Sequence, residues 1–551
     1  MIACLALSCA VPADDAAGGG SNEGAAGAPD SLPTRDVAVT SQALAPGGPR
    51  INATFTRPLP TFLANGTPNP VPGTGPEVLA IRTKVQELID YSRDVGSATD
   101  LYIAAYDWDQ FWNTPSTWVN GVQTVTWPST TCGAPCCSSS AGCCSSAGCP
   151  ATCRNQENYV QAALDRNLEI KTIFNKLKGK PAVQQWLINA IAAKKLRQNG
   201  GSYEGVVRCD QVTPDCSDGG SCLGTKDMHA KFMLVRRWRV YWVVDAPDVD
   251  YTSFLTSTNF DYNQFLNWND AVTVTNDFAL YDGMVKYYDR MAALHTGTAR
   301  PYYPLSPGVL GFNQVDGDLE IVRAYFFPRD EWMRQTSQAQ GETQNGREVD
   351  VVWRILDNIE DGVVAIAQDQ LDGNTLDGRG ALLDKLIALA DKGVEVRLIV
   401  SADQYVGSVK TKLDILRGKS TGLVYKVERA RNYGATGRLG VGIHHKFFMT
   451  FGDYNGSTFQ RLLFMGTQNW TKSGLRSNDE VLFKIKECQT APCLYPYNTP
   501  GSPRTGQYAN NEAWIQYANH WNALCDHVVK LDGTAPASSA CKFTSSQINI
   551  Y

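Results

Sequence analysis

Eleven residues in the first half of the chain, Leu164-Asp165-Arg166-Asn167-Leu168-Glu169-Ile170-Lys171-Thr172-Ile173-Phe174, return in the second. There they read Ala390-Asp391-Lys392-Gly393-Val394-Glu395-Val396-Arg397-Leu398-Ile399-Val400, residue class for residue class. Each copy has a charged, turn-forming stretch followed by an apolar run, the pattern of a helix end leading into a buried strand. The flanking segments repeat too. Ile51 to Pro58 is a strand stopped by proline, Val78 to Val95 places Val78, Leu79, Ile81, Val85, Leu88 and Ile89 at helical intervals, and 100–107 is a buried strand with a polar exit. Helices over 158–166 and 182–196 flank the strand at 168–174. The order returns with a strand at 321–329, a helix over 349–359 and a strand at 362–368. Strand, helix, strand, helix and strand, given twice, predict two pseudo-symmetric α/β halves, 49–310 and 311–551.

Each half closes on a histidine stretch. Met228-His229-Ala230-Lys231-Phe232-Met233-Leu234 is followed by Thr256-Ser257-Thr258-Asn259, and Gly442-Ile443-His444-His445-Lys446-Phe447-Phe448-Met449 by Gly466-Thr467-Gln468-Asn469. The two-residue period of a strand puts His229 beside Lys231 and His444 beside Lys446, and sends His445 to the opposite face. A titratable imidazole next to a fixed cation suits phosphate chemistry. Eleven positions beyond Asn259 stands Asp270, and eleven beyond Asn469 stands Glu480. Each half is therefore expected to carry its own acid, holding its own histidine through Nδ1. His295, His445, His520 and His527 read as structural or surface residues.

These residues resemble the phospholipase D superfamily, whose pattern is H-x-K-x4-D, then G-[ST]-x-N and an acidic residue, once per half. The resemblance implies a duplicated fold with mixed central sheets. It also implies a catalytic set of His229, Lys231, Asn259, Asp270, His444, Lys446, Asn469 and Glu480, with no metal and no cofactor. In the implied mechanism one histidine attacks phosphorus to form a phosphohistidine while the other protonates the leaving alkoxide, then activates water or an alcohol. By analogy with bacterial relatives, His229 is the nucleophile and His444 the acid and base. Lys231, Lys446, Asn259 and Asn469 would hold the phosphoryl oxygens. Two departures stand out: the motif aspartates are replaced by Arg236 and Phe451, and Thr256 takes the place of a glycine.

A net charge of -5 over 551 residues leaves no polybasic footprint, so a phospholipid or other phosphodiester substrate is expected ahead of nucleic acid. The alternatives are a metal-independent nuclease of the same superfamily and an inactive envelope-binding module. Residues 1–48 read as an export signal and flexible tether. Cys9, preceded by small and apolar residues, resembles a lipidation site that would anchor the chain to a membrane, with a plain signal peptide as the competing reading. Both point to the bacterial cell envelope or secretion. The fourteen cysteines beyond residue 48 fit an oxidising compartment. Those in the insertion at 128–155 include Cys136-Cys137 and Cys143-Cys144, which lack ordinary zinc spacing, so disulfides are expected there. The cluster Tyr106, Trp108, Trp112 and Trp118, at the exit of a central strand, is placed to line a substrate entrance. Because both half-sites lie in one chain, a monomer suffices for a complete site.

Overall fold

The computed structural model describes residues 50–57, 80–96, 99–106, 117–119, 122–124, 156–175, 185, 187–192, 205–209, 220–224, 226–239, 248–260, 264, 267–294, 314–318, 321–327, 351–373, 382–427, 442–476, 478–486, 512–530 and 538–548. The tether at 1–48, the cysteine-rich insertion, Trp108, Trp112 and His295 lie outside them. Strands of the first half are β1 (Arg50–Thr56), β2 (Leu101–Ala105), the separate pair β3 (Thr117–Val119) and β4 (Val122–Thr124), β5 (Ile170–Asn175), β6 (Val206–Cys209), β7 (Phe232–Arg239), β8 (Asp248–Thr256) and β9 (Asn269–Thr275). Those of the second are β10 (Gln314–Asp316), β11 (Val322–Phe327), β12 (Val363–Gln368), β13 (Glu395–Ser401), β14 (Gly422–Val427), β15 (Lys446–Tyr454), β16 (Ser457–Gly466), β17 (Glu480–Lys486) and β18 (Val528–Lys530).

The first sheet runs β1-β9-β8-β7-β2-β5-β6 and the second β10-β11-β17-β16-β15-β12-β13-β14-β18. Without the edge strands β10 and β18, the two orders are one order. Both sheets are mixed: β2, β5 and β6 are parallel, as are β12, β13 and β14, while the histidine strands β7 and β15 run antiparallel to β2 and β12. The repeat extends to single residues, since Ala104 faces Phe232 across β2 and β7 just as Ala367 faces Phe447 across β12 and β15.

The eleven-residue repeat has a shared local cause. Helices Gln156–Asp165 and Leu382–Asp391 both end on a left-handed residue, Asn167 at φ 69° and Gly393 at φ 96°. Asparagine and glycine are the two types that enter this region at least cost. In each case the next amide closes the turn, Leu168 onto the Ala163 carbonyl and Val394 onto that of Leu389, and aims the chain into its strand.

Alternating side chains split the apolar residues between the two faces of each sheet. Ala104, Phe232 and Leu234 of the first sheet share one core cluster with Ala367, Phe447 and Met449 of the second, joined by Tyr287, Trp514, Tyr517 and Trp521 from helices Phe278–Leu294 and Glu512–Cys525. The opposite faces have their own clusters, around Ile103, Met233 and Val235 in one half and Ile366, Leu398 and Phe448 in the other. No described helix is long and apolar enough to cross a membrane.

The missing motif aspartates fall far from the histidines. Phe451 pairs with Val363 at the start of β12, whereas Lys446 pairs with Gln368 at its end. Five residues of strand separate them by about 17 Å. Arg236 is placed likewise on β7, its amide bonded to the Asp100 carbonyl and its guanidinium 4.4 Å from the Tyr251 ring centre. The substitutions at these positions leave the reacting ends of the strands untouched.

Candidate active site

The histidines stand just ahead of β7 and β15, in an extended stretch that the other half holds by its backbone. The His229 amide donates to the Asp479 carbonyl, and the His444 amide to the Trp268 carbonyl, at 3.0 and 2.8 Å. Isolated bridges pair Met228 with Asp479 and Trp268 with Ile443. Each histidine is thus set by the strand entrance of the opposite half.

His229, Lys231, Asn259, Asp270, His444, Lys446, Asn469 and Glu480 are all buried, with relative exposures between 0% and 9%. Lys231 and Lys446 curl back so that Nζ donates to the carbonyl of the preceding motif histidine, at 2.5 and 3.0 Å. Asn259 and Asn469 each leave the side-chain oxygen without a partner among the described residues. Amide oxygen and nitrogen exchange places on a half-turn, so each can offer a donor to an anionic ligand.

The orienting acids are not distributed as the eleven-residue spacing predicts. Glu480, in the second half, bonds His229 of the first, Oε1 to Nδ1 at 2.7 Å. Thr467 and Asn478 donate to the same carboxylate at 2.6 and 3.0 Å. Asp270 reaches neither motif histidine: it accepts from His445 Nδ1 at 2.8 Å and from the Tyr517 hydroxyl at 2.8 Å. The residue beside His444 is Asn269, whose Oδ1 lies 3.2 Å from Nδ1. Hydrogen bonding explains the slip. Ser257 bonds the backbone of Asp270 through its amide and hydroxyl, as Thr467 bonds that of Val481, so Asn269, not Asp270, is the counterpart of Glu480. The loop from Asn259 is one residue shorter than that from Asn469, and a one-residue slip on a strand turns the carboxylate to the other face.

There Asp270 anchors a buried chain that residue types alone did not reveal. Arg57 Nε donates to His520 Nδ1 at 3.1 Å, which leaves His520 Nε2 to donate to His445 Nε2 at 3.0 Å and His445 Nδ1 to donate to Asp270. His445 and His520 are fully buried within this hydrogen-bonded chain.

Two further neighbours stand beside the histidines: Tyr106, expected at a substrate entrance, and Asp369, which sequence reasoning did not single out. Tyr106, directly after β2, packs edge-on against the His229 ring with centroids 4.7 Å apart, and its ring centre lies 5.0 Å from Lys231 Nζ. Asp369, directly after β12, sits with Oδ2 3.6 Å from both His444 Nε2 and Lys446 Nζ. Only the polar exit of the buried Val363–Gln368 run marked that position.

Electrostatics separate the two histidines. Burial lowers the pKa of His229, with the Glu480 charge opposing it and Lys231 adding to it. His444 is held well below the usual histidine range, first by burial and then by Lys446, Lys231 and His229. Burial works against ionisation of Glu480, yet the charge and hydrogen bond of His229, with Lys231 and Thr467, keep its carboxyl below the ordinary value. Lys446 is lowered by burial, against the pull of Asp369, Glu480 and Asp270.

Cys209, Cys222 and Asp479 also cluster, with ligand atoms within 4.8 Å, but Cys209 and Cys222 form a disulfide and offer no thiolate. Asp479 instead accepts the amides of Cys222, Leu223 and Gly224 at 2.6 to 3.0 Å, and burial pushes its carboxyl up to about 7.

Residues 369–492 match the family model described as cardiolipin synthase, PLD-like domain. Among solved structures, phosphatidylserine synthase from Haemophilus influenzae Rd KW20 is similar over 84% of this chain and 89% of its own, at 11% identity and a TM-score of 0.43. Polyphosphate kinase from Porphyromonas gingivalis is similar over 73% of this chain and 42% of its own, at 13% identity and a TM-score of 0.34, so the chain spans well under half of that kinase. Yeast tyrosyl-DNA phosphodiesterase is similar over 60% and 79%, at 11% identity and a TM-score of 0.33. No curated protein sequence matches. Overall similarity this low carries no functional argument. A PLD-like domain is thus matched over 369–492 of the second half, and the first half repeats its strand order and its His-x-Lys residues.

Proposed function

We propose that this chain is an exported phosphodiesterase that removes or exchanges phospholipid head groups through a phosphohistidine on His229. The observation that carries this reading is the 2.7 Å bond from His229 Nδ1 to Glu480. With the Nδ1 proton committed to a carboxylate, the neutral ring keeps its lone pair on Nε2, and burial keeps the ring neutral near pH 7. Nε2 then attacks phosphorus, forming the N–P bond as the P–O bond to the leaving alcohol breaks. Glu480 offsets the positive charge that the ring acquires.

His444 has the complementary part. In the free protein it is neutral, because burial and the lysines oppose its charging. A phosphodiester anion between Lys231 and Lys446 offsets those cations and lets His444 take up a proton. It passes that proton from Nε2 to the leaving oxygen. In the second step neutral His444 removes a proton from water or an acceptor alcohol, whose oxygen attacks phosphorus as the N–P bond breaks. The first proton leaves with the alcohol, a second from water or the acceptor restores protonated His444, and breaking the N–P bond regenerates His229.

A phospholipid substrate is favoured by the net charge of -5, and export by the disulfides Cys209–Cys222 and Cys525–Cys541 together with the N-terminal run up to Cys9. The test is turnover of phosphatidylethanolamine, phosphatidylcholine, cardiolipin and single-stranded DNA in EDTA, with acid-quench mass spectrometry of the histidine peptides. Lipid turnover with a phosphate adduct on His229 is the expected result. Cleavage of DNA alone would make the chain a nuclease, and no turnover with no adduct would leave a binding module.

A further inference from the structure

The two half-sites keep their carboxylates on opposite sides of the histidine. In the first, Glu480 bonds His229 at Nδ1 and uncharged Tyr106 packs edge-on against the ring. In the second, uncharged Asn269 lies behind His444 at Nδ1 and Asp369 lies in front, 3.6 Å from Nε2. Tyr106 and Asp369 are equivalent positions: each stands two residues past the alanine that faces the motif phenylalanine, Ala104 opposite Phe232 and Ala367 opposite Phe447. The charge has changed sides by substitution at two matched places.

Asp369 is held in position. Its amide donates to the His445 carbonyl at 2.9 Å, and its side chain is 14% exposed. Because Nδ1 of His444 is taken by Asn269, Nε2 is the atom that meets the leaving oxygen, and the Asp369 carboxylate stands beside that meeting point. Asp369 Oδ2 lies 3.6 Å from both His444 Nε2 and Lys446 Nζ, so a carboxylate oxygen faces the side of the pocket where the departing alcohol meets Nε2. A cationic group on that alcohol finds an anionic acceptor there, and a neutral or anionic one does not.

We infer that Asp369 is a specificity-determining residue, selecting phosphodiesters whose leaving alcohol carries an ammonium group over those with a neutral or anionic one. The inference rests on the assignment of His444 as the leaving-group acid, and it extends to the incoming alcohol in head-group exchange, which occupies the same place in reverse. A carboxylate that only paired with Lys446 would affect all esters alike.

Calorimetry on the full chain carrying His229→Asn, which blocks turnover, separates the two. Glycerophosphoethanolamine is expected to bind at least about tenfold more tightly than glycerophosphoglycerol, the size of one charge-assisted hydrogen bond. Adding Asp369→Asn should bring the two affinities within about twofold, chiefly by weakening the ethanolamine ester. An unchanged ratio, equal binding before Asp369 is altered, or no binding of either ester overturns the inference. If Asp369→Asn binds neither ester, Asp369→Glu is the deciding variant: a retained preference supports the inference and equal binding overturns it. Phosphatidylethanolamine turnover by the unaltered chain is measured separately. Its absence alongside the soluble-ester preference would remove the lipid reading and leave the charge selectivity standing.

Discussion

His229 and His444 occupy equivalent positions just ahead of equivalent strands, and their surroundings differ in charge. Glu480 supports a positive charge on His229 and fixes its tautomer, which suits the phosphoryl-carrying role proposed for that ring. Asn269 fixes the tautomer of His444 without stabilising its charge, which suits a ring that must take up a proton and give it away. The duplication therefore supplies two copies of one scaffold, and a few side chains give the two histidines different surroundings, which the proposed reading assigns to a nucleophile and an acid–base catalyst.

The largest effect is expected at the histidines. His229→Ala should lower turnover by on the order of 10⁴-fold or more for any ester. His444→Ala should do the same for alkyl esters but spare the first step with a p-nitrophenyl ester, whose leaving group needs no proton, so that adduct accumulates on His229. Rapid-quench mass spectrometry reads this directly, and an adduct on His444 in the His229→Ala chain would reverse the two roles.

Glu480→Gln comes next, with a fall of about 10²-fold in kcat. Its pH signature has a definite sign. Glu480 raises the His229 pKa against burial, so its removal lowers that pKa further and moves the acid limb of kcat/KM to lower pH. A limb that stays in place would detach Glu480 from the nucleophile.

His445→Ala tests the face where the halves differ most, since Ala230 fills the matching place in the first half. It leaves Asp270 and His520 buried with lost partners, at a cost of about 1–3 kcal/mol in denaturant unfolding. The smallest effect is expected from Asn269→Asp, which gives His444 the carboxylate that its counterpart has. Its pKa should rise, the alkaline limb of the kcat profile should move to higher pH because the acid stays protonated longer, and the rate at pH 7 should change by less than about tenfold. An unmoved alkaline limb would mean that His444 is not the acid.

The paired halves were legible because the eleven-residue repeat carries its own cause, a left-handed residue at Asn167 and Gly393 that only a few residue types fill. The His-x-Lys pairs were legible because their spacing and the strand period agree. The acids were not. Counting from Asn259 to Asp270 and from Asn469 to Glu480 measures distance along the chain, whereas partnership is set across it, by backbone bonds such as His229 to Asp479 and His444 to Trp268. A loop shortened by one residue keeps the composition and changes the face, which is why Asp270 serves His445 and Asn269 serves His444. Asp369 lay 75 positions from His444 (444 − 369), and nothing local to either residue announces the other.

The bond between His229 and Glu480 joins residues 251 positions apart, and this orders events during synthesis. When the first half leaves the ribosome it already carries His229 and Lys231, but the carboxylate that bonds His229 is still untranslated. Domains can fold as they emerge, at about 5–20 residues per second, so tens of seconds can separate a folded first half from a competent one. Until then the nascent chain holds His229 without the carboxylate that fixes its tautomer. Readiness here is a late event in translation, fixed by the place of one glutamate in the sequence.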